Sequence, residues 1–202
     1  MKSNTAGYVF TLLAISIFAI QDGISKHLVS AYPPLLVAMI RYWAFMLFAV
    51  AMASRSPGGL RSAVRTKRPT LQIARGLLLA AQIVVAISSF VIVGLAHSQA
   101  IFSSGPLMVA MLSIPILGEK VGWRRWLAIC VGFLGVLLIL KPESGLFDTR
   151  FLVPLSGALL FSFYVVLTRY VSREDSAMTS FFYTGVVGAV AMSCIEIGRA
   201  HV

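Results

Sequence analysis

Charged residues in this chain come in short bursts, and the apolar runs between them are about twenty residues long, the length an α-helix needs to cross a bilayer. A soluble domain carries roughly 25% charged residues; here 58% of the chain is hydrophobic and 12% is charged. The pattern excludes a soluble globular domain. In hydrocarbon every backbone polar group must be satisfied within the protein, so runs this apolar are expected as helices. The strands of a membrane barrel would be shorter and would alternate in polarity. The expected fold class is therefore all-α, a polytopic transmembrane helix bundle.

Seven spans can be marked, at Tyr8–Lys26, Pro34–Ala53, Leu71–Ala96, Gln99–Leu117, Trp123–Leu140, Phe151–Val171 and Ala177–Ile195. Ala31-Tyr32-Pro33-Pro34 makes a tight turn and starts the second span with proline, where the missing N–H costs nothing. Ala96-His97-Ser98 is expected as a very short hinge, and only the Arg55–Thr70 connection is long. The first run is kept as a mature helix despite Val29-Ser30-Ala31, because Gln21, Asp22, Lys26 and His27 precede that site and a signal peptide rarely carries such a gap.

The net charge of +10 would suggest nucleic acid in a soluble protein, but topology explains it here, and no nucleic-acid partner is expected. With the N-terminus inside, the cytoplasmic segments hold Lys2, Arg55, Arg61, Arg65, Lys67, Arg68, Arg75, Lys120, Arg124, Arg125, Arg169 and Arg173. The other side holds Lys26, Lys141 and Arg150, with Arg41 inside the second span. That asymmetry is the positive-inside bias of an inner-membrane, multi-pass protein with a cytoplasmic N-terminus. Trp123 and Trp126 then fall at the cytoplasmic interface. Cys130 and Cys194 lie inside apolar runs and read as small packing residues.

A faint internal repeat is present. A shift of 143 residues sets Ser25-Lys26-His27 over Thr168-Arg169-Tyr170, each at a helix end with another helix following. Five spans separate the copies, so the second would cross in the opposite sense, as in the inverted repeats of secondary transporters. The last residues, Glu196-Ile197-Gly198-Arg199-Ala200-His201-Val202, match the in-frame translation of a common short-read sequencing adapter in which a stop codon follows. They are expected to be a non-native tail, with the native protein continuing past Ile195.

An ionisable side chain at the centre of a membrane helix costs roughly 2.5–3.5 kcal/mol and is a functional candidate by default. Asp22 and Arg41 should both lie roughly 6–11 Å below the outer boundary at the helical rise, near enough to pair. A fixed ion pair, a snorkelling Arg41 and a charged cavity wall all remain open, as does an Asp22–Lys26 pair. Gln82 falls near the middle of the third span. Ser103-Ser104-Gly105-Pro106 interrupts the fourth, where Pro106 must free a backbone carbonyl. Tyr164 can present a hydroxyl at mid-depth, or simply pack. His97 at the outer hinge reads as structural, and Gly132 and Gly135 allow close helix approach. No HExxH, Walker A, GxGxxG or GxSxG pattern appears, which speaks against an enzyme, and no metal or cofactor is expected.

Four motifs, in this order and spacing, resemble the drug/metabolite transporter superfamily and its EamA-domain members. They are Arg41 after Tyr32-Pro33-Pro34, Ser104-Gly105-Pro106-Leu107, Leu117-Gly118-Glu119-Lys120, and Gly132-Phe133-Leu134-Gly135-Val136. The resemblance implies a ten-helix, five-plus-five inverted repeat around a substrate cavity. Residues 7–141 would be the first repeat and 151–195 the opening two helices of the second. Arg41 and Pro106 fall on motif positions, while Glu119 belongs to a structural loop motif. Members often carry a tryptophan late in the first helix, where this chain has Ile20-Gln21-Asp22. A subgroup with Asp followed by Ser-Lys is more similar and includes metabolite importers.

The expectation is a secondary transporter of a small metabolite or amino-acid-like solute, embedded in the lipid bilayer. Asp22, Arg41, Gln82, Ser104, Pro106 and Tyr164 are its substrate-binding candidates. Proton or ion coupling and a homodimer are open. The alternatives are an integral-membrane enzyme acting on a lipid-linked substrate and a non-transporting membrane interaction protein.

Overall fold

A computed structural model describes residues 2–118, 122–139 and 148–200, and every regular element among them is helical. The chain runs α1 (Lys2–Leu28), α2 (Pro34–Arg55), α3 (Gly59–Val64), α4 (Pro69–Ile92), α5 (Leu95–Phe102), α6 (Gly105–Leu117) and α7 (Trp123–Ile139). After a 3-10 turn at Thr149–Phe151 come α8 (Leu152–Val171) and α9 (Ala177–Ala200). Among the described residues, six helical stretches are long and apolar enough to cross a membrane: Gly7–Leu28, Pro34–Arg55, Pro69–Ile92, Leu95–Leu117, Thr149–Val171 and Ala177–Gly198. The expected fifth span is helical as α7, but its long apolar stretch is only Trp126–Gly135.

Local chemistry sets the boundaries. Proline opens α2 and α4 at positions where a helix needs no N–H donor. The expected hinge at Ala96-His97-Ser98 lies instead at Val93-Gly94. Gly94 adopts φ 82°, which a residue with a Cβ avoids, so the helix stops there and His97 falls inside α5. The long Arg55–Thr70 connection is not all loop but contains α3. At the other end α9 runs on through Glu196 to Ala200 rather than stopping near Ile195.

The interior lies where α2 packs on α9 and where α4 packs on α8 and α9, with α6 completing one side against α8. Val37, Ala38, Tyr42, Ala80, Ile87, Ala189 and Met192 form its core. Lipid is as apolar as leucine, so close backbone approach rather than the hydrophobic effect drives such packing. Gly188 of α9 faces the Tyr42 ring of α2 at a separation that leaves no room for a methyl group. Gly132 of α7 sits against Leu107, as expected, whereas Gly135 has nothing within 4 Å. Cys130 and Cys194 are exposed rather than packed. Helix α1 stands apart, with Tyr8, Phe10, Leu12, Ile17 and Phe18 all exposed.

Two ends of the bundle can be distinguished. The α2–α4 connection, rich in Arg and Lys, meets the α8–α9 connection at what we term the basic end. The α1–α2 connection, the α4–α5 break and the 3-10 turn lie at the opposite end, where the His97 ring is 6.1 Å from Phe151. Helix α1 therefore finishes at the opposite end and α8 at the basic end, so the two run in opposite senses. Their C-termini are 143 residues apart, and so are the N-termini of α2 and α9.

Candidate functional site

A cleft of ≈ 610 Å³ lies between α1 and α2 toward the opposite end. Its wall is apolar apart from Gln21, Ser25, Tyr32 and Arg41. Arg41 Nη1 donates to Ser25 Oγ at 3.0 Å, and Ser25 Oγ in turn donates to the Gln21 carbonyl at 2.8 Å. Asp22 is half-buried beside this group and accepts from Gln99 Nε2 of α5 at 2.6 Å. Asp22 and Arg41 feel one another electrostatically, but among the described residues they form no ion pair. The expected direct pairing is thus replaced by two separate partners, Gln99 and Ser25. Lys26 is exposed and does not bridge to Asp22 either. One apolar cleft consequently presents a cation, with an anion close by, and neither is neutralised by the other.

The remaining candidates are not gathered there. Ser104 is fully buried in the α5–α6 break, and its hydroxyl donates to the Ile101 carbonyl at 2.6 Å. Pro106 opens α6 and is exposed. The interruption of the fourth span therefore exists, but its hydroxyl is spent within it. Gln82 is half-buried in α4. Tyr164 sits in a second polar group, beneath the Arg75 guanidinium at 5.4 Å from the ring centroid.

Arg75 is the residue that sequence reasoning misplaced. Counted above among cytoplasmic charges, it is 2% exposed in the interior of the bundle, about 9 Å along α4 from its start. Its Nη1 donates to Thr168 Oγ1 at 3.2 Å. Its Nη2 donates to Thr184 Oγ1 at 2.7 Å and to the Ser180 carbonyl. Hydrogen bonds to a charged group contribute about 1.5–3 kcal/mol each, so three of them offset the cost of placing the charge there. All the acceptors are neutral, and Nε has no partner. The available signal was Arg75's place four residues inside the third span rather than before it.

Beyond Arg75, polar contacts tie the start of α4 to the α8–α9 connection at the basic end. Arg68 makes a two-pronged contact with Glu174, at 2.7 and 3.1 Å, and reaches the Tyr170 hydroxyl at 3.1 Å. Asp175 accepts from the Thr66 hydroxyl, the Lys67 backbone at 3.1 Å and Gln72 Nε2 at 2.9 Å. Gln72, fully buried, also reaches Ser180 Oγ at 3.3 Å. Burial pushes the Asp175 carboxyl up, but the Thr66, Gln72 and Lys67 hydrogen bonds together hold it below its ordinary value. The Arg68 hydrogen bond likewise holds Glu174 low, and Glu174 raises Arg68. The Gly118-Glu119-Lys120 loop motif extends outside the described residues.

The chain is similar to named transporters. S-adenosylmethionine uptake transporter of Rickettsia prowazekii is 25% identical over 190 residues, covering 94% of this chain and 64% of the relative. Riboflavin transporter of Vibrio cholerae is 26% identical over 180 residues, covering 88% and 60%. Riboflavin transporter of Brucella anthropi is 30% identical over 143 residues, covering 71% and 49%. The chain thus spans less than two thirds of the length of these relatives. No solved structure matches it. The model of the EamA-like transporter family matches residues 5–141, more than half of the chain, and the chain belongs to that family.

Proposed function

We propose that this protein is a secondary transporter that moves a small, amino-acid-like metabolite across the bacterial inner membrane by alternating access. The observation that carries the reading is the cleft between α1 and α2, where Arg41 faces an apolar cavity with Asp22 close by but unpaired to it. A zwitterionic solute complements both charges, its carboxylate toward the guanidinium and its ammonium toward Asp22. The apolar wall of Ile17, Ile20, Ile24 and Leu36 would take the rest of the molecule.

The family and the named relatives support transport, and S-adenosylmethionine, which carries an α-amino-acid group, is the first solute to test. The opposite senses of α1 and α8, with their shared 143-residue offset, support two inverted repeats, one over residues 7–141 and one opening at 151–195. In that arrangement α7 is the fifth crossing, the protein has ten helices in all, and the basic end faces the cytoplasm.

The test is uptake of labelled S-adenosylmethionine into proteoliposomes. The wild-type protein should accumulate solute and Arg41→Ala should not, while inserting normally. Equal uptake by the variant overturns the role of Arg41. No uptake of S-adenosylmethionine or of other amino-acid-like solutes by the wild type overturns the transport reading.

A further inference from the structure

The half-buried Arg41 guanidinium and the buried Arg75 guanidinium occupy matching places. Gln21 and Tyr164, Ser25 and Thr168, and Arg41 and Thr184 are pairs separated by the same 143 residues that separate the helix boundaries. The match extends to atoms. Ser25 Oγ donates back to the Gln21 carbonyl at 2.8 Å and accepts from Arg41 Nη1 at 3.0 Å. Thr168 Oγ1 donates back to the Tyr164 carbonyl at 2.7 Å and accepts from Arg75 Nη1 at 3.2 Å. Position 184, equivalent to Arg41, is a threonine, and Arg75 reaches in from α4 to supply the missing guanidinium, bonding that threonine at 2.7 Å. Because α1 and α8 run in opposite senses, one guanidinium lies toward each end of the bundle.

The two places differ in access. Gln21, Ser25 and Arg41 line an open cleft, whereas Arg75 and Thr184 are 2% and 1% exposed. Arg68–Glu174 and the three donors on Asp175 lie between Arg75 and the basic end. The positions equivalent to Glu174 and Asp175 are Ala31 and Tyr32, which carry no acid, so the contacts of those two acids have no counterpart at these positions. Gln72 links the tie to the interior, since its amide touches both Asp175 and Ser180.

We propose that Arg75, Thr168 and Tyr164 form a second carboxylate-binding subsite, the closed counterpart of Arg41, Ser25 and Gln21, and that the Arg68–Glu174 and Asp175 contacts are the latch that masks it. The proposal deepens the transport reading above and rests on it. Arg75 holds neutral acceptors from α9, Thr184 and the Ser180 carbonyl, and its Nε is buried without a partner. When α9 moves off α4 those acceptors leave, and a planar fork of N–H donors faces the path. A carboxylate is the acceptor that fits such a fork in a bidentate manner. Tyr164 keeps the guanidinium plane in place by stacking beneath it.

The experiment compares thiols at the two equivalent hydroxyl positions. Full-length protein with Cys130→Ser and Cys194→Ser carries either Thr168→Cys or Ser25→Cys, is reconstituted in vesicles, and is treated from each side with a membrane-impermeant methanethiosulfonate. Opening the latch with Glu174→Gln and Asp175→Asn should speed reaction at position 168 from the basic end by about tenfold. Reaction at position 25 from the other end should slow. S-adenosylmethionine should protect position 168, its decarboxylated analogue should not, and Arg75→Gln should remove the protection. No change at position 168, faster reaction at both positions as in a loosened fold, or equal protection by the decarboxylated analogue overturns the proposal. Wild-type uptake, measured on the same vesicles, tests the transport reading separately.

Discussion

A methyl group added at Gly188 of α9 would lie 2.0 Å from Cε1 of Tyr42 on α2. The tyrosine is itself 1% exposed and part of the core, so it has little room to give way. Gly188→Ala should therefore destabilise the protein by about 1–3 kcal/mol, the usual cost of overpacking. Gly135→Ala on α7, where nothing lies within 4 Å, serves as the neutral comparison. Thermal unfolding in one detergent, run on both variants, reads the difference.

Gly94 separates α4 from α5 with φ 82°, and no neighbour would contact an added Cβ. The cost of Gly94→Ala is thus backbone strain alone, roughly 1–2 kcal/mol. Its ψ of 161° places Gly94 in a region that is essentially glycine-only, so Gly94→Asn should recover none of it. If both variants unfold at the wild-type temperature, the break does not depend on the positive φ.

Asp22 receives the Gln99 amide at 2.6 Å, which keeps its carboxylate beside the cleft. Asp22→Asn should raise the KM for a zwitterionic solute by about tenfold, one lost charge-assisted hydrogen bond. A solute lacking the amino group should be much less affected. Gln99→Leu should produce a smaller change in the same direction. Uptake kinetics for the two solutes separate a charge effect from general damage.

The latch should depend on pH in a defined direction. Asp175 and Glu174 both titrate below their ordinary values in the folded protein. Their contribution is therefore fully present above the unfolded carboxylate range and is lost as the pH falls through the depressed folded values, from about pH 4 downward. Labelling of Thr168→Cys from the basic end, divided by the rate of a free thiol at the same pH to cancel the falling thiolate fraction, should accelerate over that window. In the Glu174→Gln, Asp175→Asn protein the normalised rate should be high and flat with pH; a retained acid response there would place the titrating group elsewhere.

Much of this fold is legible in local pattern. Hydropathy located the helices, the proline at 34 marked the start of α2, and Ser103-Ser104 marked the α5–α6 break. The hinge was placed at residues 96–98 rather than 93–94, because a small polar triplet and a positive-φ glycine look alike until φ is known. Asp22 and Arg41 were expected at one depth, but depth says nothing of rotation about the helix axis. Their partners turned out to be Gln99 and Ser25.

The chain's own residues determined its class and its helices, because transfer to hydrocarbon and backbone hydrogen bonding act over a single span. Only the tertiary structure decided that Arg75 lies inside the bundle, that Thr168 and Thr184 receive it, and that Asp175 gathers donors from Thr66, Lys67 and Gln72. Those partners are about a hundred residues apart in sequence, and each has the composition of an ordinary surface loop or helix flank. A charge beside a span boundary can snorkel outward or turn inward at similar cost. The choice is made by whichever acceptors the neighbouring helices bring within reach.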